Sequence, residues 1–188
     1  MTKRLSREQS CTVTFLSQSK SKIATKTSLN TKLMMTKIRR RSVETQFGIL
    51  CLVEEADAIV KLDWGLSGAN DPSDVLDAAE AQMLAYDNGK LEKFELPLNV
   101  KGTAFQRDVC DAMSAIPFGY TRTYGEIAKD LGVPAQAVGQ ACGGNLIAII
   151  IPCHRVMGAK GLTSFSGVGG VETKVALLRH EGATGLLI

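Results

Sequence analysis

The chain has 188 residues, 45% of them hydrophobic and 22% charged, with 22 Lys/Arg against 19 Asp/Glu, a composition that fits a soluble globular protein of one domain or two small ones. No apolar segment is long enough to span a membrane, and the N-terminus lacks the hydrophobic core of a secretion signal, so a secreted protein is not expected. The five cysteines, at 11, 51, 110, 142 and 153, are odd in number and show no disulfide framework, so reduced thiols in an intracellular compartment are expected.

The charge is unevenly distributed. Residues 1–41 hold eleven Lys/Arg and one acid, Glu8, a net of +10, which leaves 11 bases and 18 acids, a net of −7, for residues 42–188. Residues 1–41 are also rich in Ser and Thr and poor in aromatics, and are expected to be disordered. Three readings stand for them. They are a basic arm for nucleic-acid phosphates, a transit peptide, or an extension that precedes a true start at Met34 or Met35.

Phe47–Val53 and Ala58–Trp64 are short apolar runs separated by Glu54-Glu55-Ala56-Asp57, which predicts a β-hairpin. Asp71-Pro72 is predicted to open a helix, with Asp71 as its cap. Val75, Ala79, Met83 and Tyr86 recur at helical spacing, and Asn88-Gly89 closes the helix. Phe94, Leu96 and Leu98 alternate with polar residues, the pattern of a strand. Residues 42–99 therefore form a small α/β domain, with a boundary at Asn99-Val100-Lys101-Gly102. Residues 102–183 read as mainly helical. Thr103 caps a helix with Phe105, Val109, Ala112 and Ile116 on its apolar face, and Pro117 ends it. Thr123 and Glu126 form a capping box. That helix runs to Leu131, Gly132-Val133 turns the chain, and Pro134 starts another helix reaching Cys142. Two short helices about a Gly-containing turn are a helix-turn-helix pattern, shared with ordinary helical hairpins. Val171, Val175 and Leu178 mark a last helix, closed by Glu181-Gly182.

The apolar run Leu146–Ile151 ends at Pro152-Cys153-His154-Arg155-Val156. A cysteine reacts as its thiolate, and a neighbouring imidazole or cation favours that form. Arg155 adds a permanent charge at the same corner. A buried core cysteine at a strand end is the competing reading. Zinc is not expected, because no Cys-x-x-Cys pair exists and the two histidines are far apart in sequence. Gly167-x-Gly169-Gly170 lacks the preceding strand and spacing of a phosphate loop.

Four blocks, in this order, resemble the O6-alkylguanine-DNA alkyltransferase family, also called methylated-DNA–protein-cysteine methyltransferases. They are Gly102-Thr103-Ala104-Phe105-Gln106, then Ile116-Pro117-Phe118-Gly119 with Tyr124, then Ile151-Pro152-Cys153-His154-Arg155-Val156. The fourth is Phe165-Ser166 through Gly169-Gly170, with Lys174, Leu177-Leu178 and Glu181-Gly182. The resemblance spans roughly Gly48 to Ala183. It implies an α+β protein, with a ribonuclease-H-like N-terminal domain and a helical C-terminal domain carrying a helix-turn-helix. It implies a single-turnover enzyme without cofactor or metal. The protein flips an O6-alkylguanine out of double-stranded DNA and transfers the alkyl group irreversibly to Cys153, with O4 of thymine as an open alternative. His154 takes the thiol proton through a water, Glu181 orients the imidazole, and Tyr124 donates its hydroxyl proton to the guanine. Gln136, Asn145, Arg155, Ser166 and Tyr124 are the implied substrate and DNA contacts. A cytoplasmic monomer is expected, associated with the nucleoid in a bacterium.

The sequence departs from the family at four places. Gln136 stands where arginine is common, Leu146 where proline follows the asparagine, and Cys110 where tryptophan is frequent. The loop before Gly169-Gly170 is slightly long. Two other functions fit parts of the pattern. One is a non-catalytic protein that recognises alkylated DNA, which the presence of Cys153 opposes. The other is a regulator signalled by its methylated cysteine, for which the extra cysteine-rich domain is missing.

Overall fold

The computed structural model describes residues 37–65 and 70–183. Its first layer is a three-stranded antiparallel sheet in the order β1 (Ile38–Thr45), β2 (Gly48–Glu55), β3 (Ala58–Trp64). The expected hairpin is β2–β3. Its turn is the pair Ala56-Asp57, at φ 53° and 58°, the doubly left-handed geometry that matches the twist of adjoining strands. The first strand was not foreseen, and it corrects the expected boundary at residue 42. Ile38 to Arg41 pair with Glu55 to Leu52. Three arginines in a row read as a solvated arm, but alternation puts Arg39 and Arg41 on one face. There Arg39 pairs with the buried Glu54, and Arg41 with Asp77 and Glu80. The rest of the arm, residues 1–36, lies outside the described residues.

The same face of the sheet carries Val43, Leu50, Leu52 and Leu62, which pack on helix α1 (Asp74–Asp87) through Leu76, Ala79 and Met83. Ser73, not Asp71, caps α1 by accepting from the Leu76 amide. Asp71 is engaged elsewhere: its amide donates to Arg40 O at 2.9 Å and its carboxylate accepts from Arg40 N at 3.0 Å, which closes the outer edge of β1. The strand expected at Phe94–Leu98 reduces to one bridge from Leu98 to Ile59. Pro97 has no N–H to continue a ladder.

The remaining chain is helical, as expected. Helix α2 (Ala104–Ser114) has Thr103 as its cap, and α3 (Tyr124–Leu131) starts with the Thr123–Glu126 capping box. Gly132, at φ 66°, ends α3 in the left-handed conformation that glycine adopts without steric cost. Helix α4 (Ala135–Gly143) follows Pro134 and packs on α3 through Val138, Ala141 and Cys142. The run Leu146–Ile151 is no strand. Ile147 to Ile151 are buried in a tight turn, with Ile149 at φ 72°, a strained conformation for a β-branched residue. Pro152 then leads into a single 3₁₀ turn, Cys153–Arg155, and a two-residue strand β5 (Val156–Met157) parallel to β4 (Arg122–Thr123). Helix α5 (Val171–His180) closes the described region. One core cluster runs from the sheet and α1 through α2, α3 and α4 to the 3₁₀ turn and α5. Among the described residues no helix is long and apolar enough to cross a membrane.

The β1 pairings separate two truncations. A chain beginning at Met35 keeps every described element and is expected to unfold at the same urea concentration as the full chain. A chain beginning at Ser42 loses half of β1 and strands Glu54 without its arginine. It is expected to lose about 3 kcal/mol or more, because a buried charge is left uncompensated. Urea titrations of the three chains check this.

Candidate active site

The local fold gathers the expected residues around Cys153. The turn after α4 and the 3₁₀ turn are stapled together by Asn145. Its Nδ2 donates to Ile151 O at 2.9 Å, and its Oδ1 accepts from Ile147 N at 3.0 Å. Asn145 therefore holds the strained turn in shape, without the proline that the family places after it. Its side-chain amide also favours the Cys153 thiolate.

Cys153 is buried, and it opens onto a cavity of about 140 Å³ lined by Tyr124, Gly139, Cys142, Gly143, Ser164, Phe165 and Ser166. Gly139 and Gly143 add no side chain to the α4 wall of the cavity, which leaves Cys142 to line it. Gly167 has a different reason. A Cβ there would lie 2.3 Å from the Phe165 ring and 2.8 Å from Trp64, so only glycine lets Phe165 stack edge-on against Trp64. Ser166 is exposed at the rim. Gln136 is exposed in the first turn of α4 and does not line the cavity. The cavity-lining Gly139, Cys142 and Gly143 stand on the same helix.

Behind Cys153 is a buried charged cluster. Glu181 Oε1 lies 2.8 Å from His154 Nε2 and accepts from Tyr86 OH at 2.8 Å. Arg155 donates to the same carboxylate through Nε at 2.8 Å and Nη2 at 3.0 Å, and through Nη1 to Ile116 O at 2.6 Å. All of these groups are shielded from solvent, so Arg155 is a clamp inside the protein. This corrects its expected role as a substrate or DNA contact. The pairing expected between His154 and Glu181 is present.

The electrostatics follow from burial and partners. Burial pushes the Glu181 carboxyl up, but the His154 and Arg155 hydrogen bonds and charges outweigh it and hold the group at about 2. Burial pulls His154 below its ordinary range, against the attraction of Glu181 and with help from the Arg155 and Lys174 charges. A neutral imidazole facing an ionised carboxylate must donate from Nε2. Nδ1, which has no hydrogen-bond partner among the described residues, is then the basic nitrogen. Burial raises the Cys153 thiol, while the Asn145 hydrogen bond, the Lys174 charge and the Cys153 and His154 backbone amides lower it.

Sequence reasoning gave no role to Tyr86, Thr163 or Lys174. Tyr86 closes the carboxylate cluster. Lys174 is buried on the inner face of α5, donating to Val156 O at 2.6 Å and to Thr163 Oγ1 at 3.3 Å. Thr163 in turn lies 3.1 Å from Tyr124 OH. A signal for Lys174 was present: it shares the 174, 177, 178, 181 stripe with Leu177, Leu178 and Glu181, where a charge has to be partnered.

A family model described as the DNA-binding domain of 6-O-methylguanine DNA methyltransferase matches residues 104–183. A methylated-DNA–protein-cysteine methyltransferase of Mycolicibacterium paratuberculosis is 39% identical over 154 residues, covering 77% of this chain and 92% of that protein. One of Methanosarcina acetivorans is 49% identical over 108 residues, covering 56% and 68%. The fold is similar to the crystal structure of Mycobacterium tuberculosis OGT in complex with DNA, with a TM-score of 0.69, 39% identity and coverage of 77% and 92%.

The carboxylate cluster makes a stability prediction. Glu181 has a folded value near 2 against an ordinary 4.5, so its contribution is complete above 4.5 and is lost as pH falls towards 2. His154, lowered from 6.5, works in the same direction, because the unfolded chain takes up its proton first. Acid therefore destabilises the fold, beginning below pH 6.5. Glu181→Gln is expected to cost about 3 kcal/mol at pH 7, since it leaves Arg155 buried without a counter-charge, and to flatten the acid limb. Tyr86→Phe is expected to cost about 1 kcal/mol with the wild-type acid limb. Urea unfolding as a function of pH measures both.

Proposed function

This chain belongs to the methylated-DNA–protein-cysteine methyltransferase family, and on that footing we propose that it repairs DNA by moving an alkyl group from O6 of guanine to Cys153. The observation that carries the reading is the buried cysteine at the floor of a small cavity, backed by an imidazole whose Nε2 is tied to a carboxylate. In the reaction the sulfur attacks the methyl carbon and the carbon–O6 bond breaks. The thiol proton leaves to His154 Nδ1 through a water, the guanine gains a proton with Tyr124 as its donor, and the phenolate and imidazolium that remain are neutralised by proton exchange with solvent. The product is an S-methyl thioether that no group in the cavity can displace, so each molecule acts once.

A side chain cannot reach O6 within a stacked duplex, so the base has to leave it. We read α3, the Gly132 turn and α4 as a helix-turn-helix, with α4 meeting DNA and Gln136 occupying the place the guanine leaves. Ser164, Phe165 and Ser166 wall the flipped base. The three-stranded sheet with α1 across one face supports a ribonuclease-H-like N-terminal domain, divided from the C-terminal domain near Asn99–Gly102. The working state on this reading is a cytoplasmic monomer on double-stranded DNA.

Intact mass after incubation with O6-methylguanine DNA tests the proposal. Cys153 is expected to gain one methyl group, with at most one lesion repaired per protein, and Cys153→Ala is expected to bind DNA without transfer. Methyl found on Cys110 or Cys142, or several turnovers per molecule, would overturn it. Binding without any methylation would instead support a non-catalytic protein that recognises alkylated DNA.

The exposed position of Gln136 gives a second test. Its amide can replace part of the lost base pairing, a neutral hydrogen bond of about 1 kcal/mol. Gln136→Ala is expected to slow repair of duplex DNA by up to about fivefold and to leave reaction with free O6-alkylguanine unchanged. Gln136→Arg is expected to speed the duplex reaction by adding a charge in the groove. Equal slowing of Gln136→Ala on both substrates would show that this residue shapes the cavity or the fold.

A further inference from the structure

Tyr124 reaches the cavity from the first turn of α3, and among the described residues its hydroxyl is held by Thr163, at 3.1 Å. Thr163 is held in turn by Lys174, whose Nζ lies 3.3 Å from Thr163 Oγ1 and 2.6 Å from Val156 O. The Val156 carbonyl only accepts, so Nζ donates to it. An ammonium has three protons and no lone pair, so Nζ donates to Thr163 as well. Among the described residues no carboxylate pairs with Lys174, so its charge acts on the carbonyl, on Thr163 and on the Cys153 and Cys142 thiols that face it.

From this chain of contacts we infer that Thr163 is a positioning residue for the reaction: it accepts from Lys174 and turns its own proton towards the Tyr124 oxygen, so that the Tyr124 proton points at the base. The inference rests on the alkyl-transfer reading above. A hydroxyl has one proton and two acceptor sites. Thr163 can therefore receive from Lys174 in every state of the site. With no base bound, Tyr124 donates to Thr163. With a base in the cavity, two hydroxyl rotations reverse that bond and release the tyrosine proton to the ring nitrogen that gains electron density as O6 loses its alkyl group. No heavy atom moves. A donor–donor chain that starts at a cation also strengthens the last bond, since each member polarises the next. Burial raises the Tyr124 phenol and the Thr163 hydrogen bond opposes that rise, the direction such assistance requires.

The test is a double-mutant cycle on single-turnover transfer from duplex O6-methylguanine DNA. Thr163→Val keeps the shape of the side chain and removes the hydroxyl. It is expected to slow transfer roughly three- to tenfold, the worth of one hydrogen bond, with unchanged affinity for DNA. Thr163→Ser is expected to restore the rate to within about twofold. In a Tyr124→Phe background, Thr163→Val is expected to have no further effect, because no phenol remains to be oriented. Thr163→Ala gives the same cycle if the valine disturbs folding. Slowing by Thr163→Val that persists in full beside Tyr124→Phe, or serine that fails to rescue, would overturn the inference. A wild-type chain that leaves no methyl on Cys153 would remove the alkyl-transfer reading itself, which separates the two failures.

Discussion

The Glu181 carboxylate sits just past α5 and takes hydrogen bonds from Tyr86 on α1 and from His154 and Arg155 on the 3₁₀ turn, while Arg155 also holds the Ile116 carbonyl beyond α2. Four parts of the chain are thus fixed by one buried anion. Burying such a group is costly, and a buried ion pair is often no more stable than an apolar replacement. Its value here is positional and electrostatic. Glu181 alone would favour a charged imidazole. The bidentate Arg155 supplies the compensating charge, so the carboxylate stays ionised while His154 stays neutral. A neutral imidazole with its Nε2 proton committed to Glu181 has Nδ1 left as a base, which is the state a proton acceptor needs at the start of a reaction.

Selectivity among the thiols follows from what surrounds each. Cys110, Cys142 and Cys153 are all buried. Burial lifts Cys110 to about 11 and Cys142 to about 12. The Gln106 hydrogen bond only softens the first, and the nearby Lys174 charge only softens the second. Cys153 is buried too, and burial raises it, but the Asn145 amide, the Cys153 and His154 backbone amides and the Lys174 charge all act against that rise. Hydrogen bonds and a fixed charge favour the thiolate in proportion to the charge that forms. At Cys153 they act together, beside the only neighbouring imidazole. A cysteine kept as a buried thiol until a substrate arrives is also shielded from casual oxidation.

Much of the helical half was legible in the sequence, because capping and turn chemistry are local. Thr103, the Thr123–Glu126 box, Gly132 and Pro134 sit where the helices begin or end. The errors came where distant partners decide. Arg39-Arg40-Arg41 has the composition of a solvated arm, but its backbone pairs with β2, and Glu54, Asp77 and Glu80 partner Arg39 and Arg41. Leu146–Ile151 has the composition of a strand, but Asn145 folds it into a turn. Cys153, His154 and Glu181 were readable through the block pattern. Arg155 was misassigned, because a guanidinium one residue from a histidine looks equally suited to phosphate or to carboxylate until its partner is known. Tyr86 reaches the site through packing that no local spacing encodes, whereas Lys174 left a signal in its helical stripe but none of the partners it would find.

If α4 is the helix that meets DNA, as proposed above, its composition bears on how the site binds. The helix has no charged residue, and its surface offers Ala135, Gln136, Gly139, Gln140 and Gly143. Beside it, the charges on α3 and β4 are mixed, with Arg122 paired to Asp130. Phosphate attraction, the usual source of sequence-independent affinity, is therefore weak at this face. Small residues do something else: they let a helix backbone approach a groove closely, where van der Waals contact and amide hydrogen bonds depend little on salt. The same two glycines, Gly139 and Gly143, add no side chain to the cavity wall where the base would enter. One helix thus answers both demands with one kind of residue. On the proposed reading, in which α4 meets DNA, the charge missing from this helix would come from elsewhere on the chain, and Gln136 would work by hydrogen bonding alone.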